Sequence, residues 1–414
     1  MIMSERLTLV FFLLLFPGLF FYSSAVGARL IPAVIGGGFG LAAIIALVTL
    51  LPILMISAVR LKGTGLLITS LFFALIAYSA VWLLIHYLLG DPTQKRSDVI
   101  TQWATLIATW LTLFSIGYFW PATLSNRYVA ILIACLVGIA AVVVLNVDYQ
   151  QRIFRFGISD AAGALSYQGL ARSTAVTGLV LLSVIRSIRS SIIVAILLLT
   201  ALFFIGARSE IVGVVAVLPF IFYLHYRQRP LATITAALVS SLIIIGAVVY
   251  SYDILISSRQ FQLLNISESS SWMARAEMQE QALEAIKQAP FLGDFGGHAR
   301  DHDGVGAYAH NVLSAWRQLG LVGFVLYLSL LFSSPLLSLY MVWYRRYDKT
   351  DLPRIAGTLS LFFLILMLGA KSVFWAFPAL AWGLIVACYR HKPITKPAAL
   401  PAKRHRRVFL LRIS

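Results

Sequence analysis

Continuous apolar stretches separated by short polar connections dominate the chain. Twelve stretches approach the roughly 20 residues that a helix needs to cross the hydrocarbon core of a membrane. They lie near 7–26, 33–59, 66–89, 99–120, 127–146, 172–187, 190–206, 210–225, 231–250, 318–344, 353–372 and 374–390. Apolar residues follow one another without the alternation of a barrel strand. The pattern therefore predicts an all-α, polytopic membrane protein of about 12 transmembrane helices.

Composition excludes the other classes of protein. Hydrophobic residues make up 60% of the 414 residues and charged residues 12%, whereas soluble domains average about 45–50% and about 25%. A water-soluble globule is excluded because too little polar surface is available to cover it. The apolar excess equally excludes a disordered chain. Cys135 and Cys388 both fall inside apolar stretches, so no disulfide framework is expected.

The strong positive charge is explained by membrane topology. The chain has 33 Lys and Arg against 16 Asp and Glu, a net charge of +17. With both termini in the cytoplasm, the cytoplasmic segments hold 20 basic and 3 acidic residues, and the outer segments hold 13 of each. This is the positive-inside distribution. It accounts for the basic charge, so nucleic-acid binding is not needed to explain it. The basic run 403–407 is expected to contact anionic membrane lipids.

Four segments follow from this topology. Residues 1–250 hold the first nine transmembrane helices, 251–317 form a large outer loop, 318–390 hold the last three helices, and 391–414 form a basic cytoplasmic tail. Serines preceding a run rich in Ala, Glu and Gln predict a helix over 271–288 of the outer loop. Its expected apolar face consists of Trp272, Ala276, Leu283 and Ile286.

Three motifs carry the candidate chemistry, and all fall on the predicted outer side. They are the Gly-Ala-Arg-Ser-Glu turn at 206–210, Arg275 upstream of the Pro-Phe-Leu-Gly at 290–293, and His310-Asn311 upstream of the Gly-Leu-Val-Gly at 320–323. In their order and spacing, these motifs resemble those of the O-antigen ligase and polymerase superfamily of bacterial envelope glycosyltransferases. The number of spans and the single large outer loop also match that family.

The resemblance implies a glycosyltransferase in the bacterial inner membrane with its active site facing the periplasm. Such an enzyme moves an oligo- or polysaccharide from undecaprenyl diphosphate to a hydroxyl acceptor. The acceptor is a lipid A core sugar for a ligase, or a second lipid-linked glycan for a polymerase, and the sequence leaves both open. The resemblance implies no cofactor and no metal, and it leaves room for a chain-length regulator as a partner.

The same resemblance assigns the site residues. Arg208 and Arg275 are expected to bind the diphosphate, because a guanidinium binds phosphate oxygens in pairs and stays charged. His310 is expected to be the base that takes the proton of the acceptor hydroxyl. Asn311 is expected to orient the imidazole or the sugar. Independently of the resemblance, Trp272 is a candidate to stack on a sugar face of the substrate, with an ordinary aromatic at the membrane interface as the alternative. The competing structural interpretation makes Arg208 a snorkelling residue at a helix end and His310 a hydrogen-bonding residue at a helix start.

Two further groups receive structural interpretations. His298, Asp301, His302 and Asp303 resemble a metal-ligand set, but the flanking glycines favour a polar, mobile loop on the acceptor side. Lys371 lies near the outer end of a span, where a snorkelling anchor is the expected role and binding of a lipid phosphate is the alternative.

Two rival functions remain. A transporter or flippase of lipid-linked glycan predicts repeat symmetry and charges within central spans. A non-catalytic assembly scaffold does not require two arginines and a histidine on one outer loop.

Overall fold

The computed structural model describes residues 2–32, 39–89, 96–148, 153–154, 167–226, 270–301, 308–344 and 350–391. The first nine helices are α1 (Ile2–Leu15), α2 (Pro17–Gly27), α3 (Phe39–Ala58), α4 (Thr64–Leu89), α5 (Arg96–Tyr118), α6 (Asn126–Leu145), α7 (Tyr167–Val184), α8 (Ile188–Ile205) and α9 (Arg208–Tyr226). The others are α10 (Ser270–Gln288), α11 (Gly297–Asp301), α12 (Leu313–Tyr344), α13 (Leu352–Gly369) and α14 (Pro378–Arg390). Two short strands, β1 (Val147–Asp148) and β2 (Ile153–Phe154), pair antiparallel.

The protein is an all-α, polytopic membrane protein. Eight helical segments of the described chain are long and apolar enough to cross a membrane. Three more predicted spans correspond to α7, α9 and α14, which fall short of that length or hydropathy. The twelfth, near 231–250, lies outside the described residues, as does the tail beyond residue 391.

Proline and glycine set the breaks in the long apolar stretches. Pro17 opens α2, so the first predicted span is two helices joined at Phe16. Gly206 caps α8 with φ at 81°, and its N–H binds the carbonyls of Leu202 and Phe203. A positive φ costs glycine no Cβ strain, so the chain reverses here and α9 begins at Arg208.

Helix α5 is the central element, and it packs on α14 through paired glycines. A Cβ on Gly117 would lie 2.2 Å from the carbonyl oxygen of Leu380, and one on Gly383 would lie 2.2 Å from that of Phe114. Small residues allow membrane helices to approach this closely, and the approach maximises van der Waals contact where water supplies no hydrophobic drive.

Aromatic side chains fill the space around these helices. Trp110, Trp382 and Tyr327 meet with ring centroids 5.8–6.4 Å apart, and all three are buried. Such pairs contribute about 0.5–1.5 kcal/mol beyond their buried area. In contrast, Val48 and Leu67 point outward, which suits contact with lipid.

Residues predicted on the same side of the membrane lie together. Arg186 pairs with Asp351 at 3.4 Å, and Arg390 lies 3.9 Å from Glu5. All four were predicted on the cytoplasmic side. The side chains of the three motifs lie at the opposite helix ends.

Helix α10 occupies almost the predicted range, but it packs through a different face. Ala282 and Ile286 are buried against the bundle, whereas Leu283 and Ala276 are exposed. The predicted face was therefore correct at Ile286 and wrong at Ala276 and Leu283, while the side chain of Trp272 lies outside the described residues. Ala282 and Ile286 define the packed face instead, and Arg275, two turns before Ala282, lies half-buried on the same face.

The glycine pair generates a stability prediction. Gly383→Ala should destabilise the protein by about 1–3 kcal/mol, because the added methyl meets the backbone of α5 and the helices must separate. The measurement is the thermal unfolding midpoint in detergent. Gly40→Ala is the matched control, since nothing lies within 4 Å of its added Cβ. Equal midpoints for the two variants would contradict the close packing of α5 on α14.

Candidate functional site

A buried ion pair joins the α8–α9 turn to the connection between α13 and α14. Lys371 Nζ lies 2.8 Å from Glu210 Oε1, and the two side chains are 8% and 1% exposed. Glu210 Oε2 also accepts a hydrogen bond of 2.7 Å from the hydroxyl of Ser209. The snorkelling role expected for Lys371 is therefore wrong, because its ammonium points inward to a carboxylate. Arg208, which begins α9, lies two positions before Glu210 in the sequence and is half-buried.

His310 precedes α12 in an environment that keeps its ring neutral. Burial lowers the pKa of His310 to about 4, with Arg275 and Lys371 adding to the shift through their charges. A hydrogen bond to the backbone of Tyr308 opposes it. Nδ1 of His310 is buried without a hydrogen-bond partner among the described residues. The structure thus brings Arg275, Lys371 and His310 within electrostatic range of one another.

Asn311 ties α10 to the start of α12. Its Oδ1 accepts a hydrogen bond from the Leu313 N–H at 3.0 Å, and its Nδ2 donates to Gln279 Oε1 at 3.1 Å. Gln279 is exposed and lies one turn from Arg275, so this bond holds that turn of α10 against the start of α12. The role of Asn311 toward substrate stays a prediction. The side chain of Trp272 lies outside the described residues.

Two glycines lock the end of α10 against a break in α12. Gly293 and Gly320 have φ of 77° and 64°, and a Cβ on Gly293 would lie 2.4 Å from the amide nitrogen of Gly320. The Leu321 N–H donates to the carbonyls of Pro290 and Phe291. The Pro-Phe-Leu-Gly and Gly-Leu-Val-Gly motifs thus meet backbone to backbone, because no side chain separates them.

A buried salt bridge reinforces this junction. Arg317, only 2% exposed, lies 3.2 Å from Asp294, which also pairs with Arg300 at 3.1 Å. The indole of Trp316 donates to the carbonyl of Pro290 at 2.9 Å. Removing one partner of such a pair leaves an uncompensated charge, so these residues serve to hold the junction.

His298 belongs to the packed interior, which corrects the expectation of a mobile loop. Gln318 Oε1 accepts from the Gly296 N–H at 2.9 Å, so its amide nitrogen donates to His298 Nδ1 at 3.0 Å. His298 Nε2 consequently carries the proton and donates to Gln102 Oε1 at 2.9 Å. Both ring nitrogens are thereby engaged.

The structure does not test whether the rest of that cluster binds a metal. The side chain of Asp301, together with His302 and Asp303, lies outside the described residues. Within the part of the chain that is described, no three His, Cys, Asp or Glu residues form a metal-binding group.

A cavity of about 520 Å³ opens beside His310, and we call it the α5 groove. Its α5 wall carries five polar residues and one leucine, namely Asp98, Thr101, Gln102, Thr105, Leu106 and Thr109. The opposite wall consists of Arg172, Tyr308, Phe374, Ala376 and Phe377. The Tyr308 ring lies 5.3 Å from the His310 ring, centroid to centroid, so the groove adjoins the candidate base.

Sequence reasoning missed Lys371, Glu210 and Arg172 as site residues. Lys371 and Glu210 are 161 positions apart, and nothing local indicates their pairing. Arg172 lies within electrostatic range of Glu210. The sequence signal for Arg172 was its charge at the start of a predicted membrane span, where charged residues often have a function.

The Lys371–Glu210 pair generates the second prediction. Lys371→Met should destabilise the protein by about 3–5 kcal/mol, because it leaves the buried carboxylate of Glu210 without its cationic partner. Adding Glu210→Gln should recover much of that loss, and thermal unfolding in detergent measures both variants. Arg186→Met is the control, since its pair with Asp351 leaves Arg186 59% exposed and should cost about 0–1 kcal/mol. A double variant less stable than Lys371→Met would contradict the pairing.

Two comparisons with known proteins test the resemblance to O-antigen ligases and polymerases. The family described as O-antigen ligase matches residues 193–328, about a third of the chain. A search of curated proteins found no significant match. The matched segment contains Arg208, Arg275, His310 and both glycines of the α10–α12 junction. The match supports a membrane glycosyltransferase of the O-antigen ligase or polymerase type, and it confirms the resemblance seen in the motifs of this segment.

Proposed function

We propose that the protein is an O-antigen ligase that transfers a glycan from undecaprenyl diphosphate to a hydroxyl of the lipid A core. The reaction takes place at the periplasmic face of the bacterial inner membrane. The observation that carries the proposal is the convergence of three distant segments: the turn bearing Arg208, the helix bearing Arg275, and His310. The Glu210–Lys371 ion pair links the first segment to the surroundings of the third.

Arg208 and Arg275 meet the charge of the leaving group. As the acceptor oxygen attacks the anomeric carbon, the bond from that carbon to the diphosphate breaks and its electron pair goes to a phosphate oxygen. Guanidinium groups bind such oxygens through paired, charge-assisted hydrogen bonds. Electrostatic stabilisation of this kind is usually the largest single contribution to catalysis.

His310 takes the proton of the acceptor hydroxyl. Its ring is neutral at pH 7 because its pKa lies at about 4, and the buried Nδ1 is the available acceptor. A base of so low a pKa is weak on its own. However, a bound diphosphate would offset the charges of Arg275 and Lys371 and so raise the pKa of His310. The base therefore strengthens when the donor is in place.

The ligase is preferred to the polymerase because the matching family is described as O-antigen ligase. The two differ in what accumulates when the gene is deleted. We expect a full-length, lipid-linked polymer that never reaches the core, seen on gels of envelope glycans. Single repeats attached to the core would instead identify a polymerase and overturn the proposed acceptor.

Complementation of the same deletion tests the residues. Arg208→Lys keeps the charge but loses the planar fork, so transfer should fall roughly tenfold to more than a hundredfold, since a charge-assisted bond contributes about 1.5–3 kcal/mol. His310→Ala should abolish transfer while donor binding by the purified protein persists. Arg127→Lys, exposed at the start of α6, is the control. Near-normal transfer by Arg208→Lys or His310→Ala would favour the structural interpretations.

The pKa of His310 generates a separate pH prediction. The neutral ring is the active form, so activity falls as the pH drops through the pKa. With the donor far below saturation, the acid limb of the rate should lie near pH 4. Saturating donor should move it to higher pH, because the diphosphate offsets the charges of Arg275 and Lys371, while the larger lowering caused by burial remains. Arg275→Gln should move the first limb upward, since one depressing charge is lost. Identical limbs at low and saturating donor would contradict this coupling.

A further inference from the structure

The polar wall of the α5 groove is unusual for a membrane helix. Asp98, Thr101, Gln102, Thr105 and Thr109 follow helical spacing, so they form one stripe along α5. Polar groups at membrane depth are costly unless they have partners, and they mark substrate paths by default. Gln102 is engaged by His298. The remaining stripe faces the cavity, where a polar ligand would satisfy it.

The threonine hydroxyls favour a ligand that donates hydrogen bonds. Thr101 Oγ1 donates to the carbonyl of Ser97 at 2.8 Å, and Thr109 Oγ1 donates to that of Thr105 at 2.7 Å. Each hydroxyl has one proton and two lone pairs, so these protons are committed to the backbone while the lone pairs remain acceptors. The Asp98 carboxylate adds further acceptors. This wall therefore suits a molecule rich in hydroxyl groups.

The opposite wall is aromatic and carries one guanidinium. The rings of Tyr308 and Phe374 lie 5.2 Å apart, and Arg172 lies 4.2 Å above the centre of the Phe377 ring. Aromatic faces carry negative charge density that attracts C–H groups of a sugar ring. The Phe377 ring contacts the guanidinium through this cation–π approach, and the N–H groups of Arg172 are donors that sugar oxygens can accept.

We infer that the α5 groove binds a sugar ring of the acceptor glycolipid. An acceptor wall, an aromatic wall and a guanidinium match the hydroxyls, C–H faces and ring oxygens of a pyranose. The acceptor is favoured over the donor because Tyr308, which lines the groove, adjoins His310, the base that acts on the acceptor hydroxyl. This inference rests on the proposed function and deepens it by giving the acceptor sugar a location.

Photocrosslinking in cells tests the occupant. Benzoylphenylalanine replaces Thr101 in the full-length protein, and the cells' own glycolipids serve as the probe. After irradiation, the protein should carry a carbohydrate-stained adduct, both in normal cells and in cells unable to make the lipid-linked donor glycan. Benzoylphenylalanine at Thr49, an exposed position of α3 away from the groove, should give none.

Each outcome decides the inference. Absence of the adduct at position 101 would overturn it, and loss of the adduct in donor-deficient cells would assign the groove to the donor instead. The adduct should persist when His310→Ala is added. If that variant still transfers glycan while the adduct forms, the proposed mechanism fails and the sugar site stands.

A matched pair of hydroxyl deletions measures the contribution of the stripe. Thr109→Val should raise the KM for the acceptor about two- to tenfold, as expected for one lost hydrogen bond, and leave the KM for the donor unchanged. Thr49→Val removes a hydroxyl that is bound to its own helix in the same way, at 2.7 Å from the Ile45 carbonyl, and should change neither constant. Equal acceptor KM values for the two variants, or a rise in the donor KM of Thr109→Val, would contradict the assignment.

Discussion

The ion pair between Lys371 and Glu210 is the contact on which the candidate site depends. Two charges this deeply buried are tolerated only because each neutralises the other. The pair fixes the start of α9 to the connection after α13, and that connection is also bound to α12, since the Val373 N–H donates to the hydroxyl of Ser314 at 2.8 Å. Three transmembrane helices are thereby held together near His310, so the candidate site has a rigid frame.

The second constraint is close backbone contact. Gly293 against Gly320 sets the end of α10, and the bond between Asn311 and Gln279 holds one of its turns against the start of α12. Arg275 lies within electrostatic range of His310, and the described contacts that position its helix are made by glycines and amides. In the proposed mechanism this division leaves the arginine for the substrate, because a residue that grips a substrate cannot also hold its helix.

Local rules predicted most of the helices and the three motifs, because length, hydropathy, proline and glycine act over a few residues. These rules failed where contacts between segments distant in the sequence determine the position of a side chain. The face of α10 was mispredicted from Leu283, since hydropathy favours the larger side chain whereas small Ala282 fits the close approach to α12. Lys371 was assigned to the membrane surface because its partner Glu210 lies in another helix pair. His298 was predicted on a mobile polar loop because its hydrogen-bond partners, Gln102 and Gln318, are not its neighbours in the sequence.

The polar stripe of α5 also bears on the membrane as an insulator. Asp98 and Thr109 are eleven residues apart, which is about 16 Å along a helix, or about half of a hydrocarbon core roughly 30 Å thick. Buried Trp110 follows Thr109 in the sequence and packs with Tyr327 and Trp382. The polar stripe therefore ends beside a buried aromatic cluster, and close aromatic packing of this kind leaves no path for water or ions.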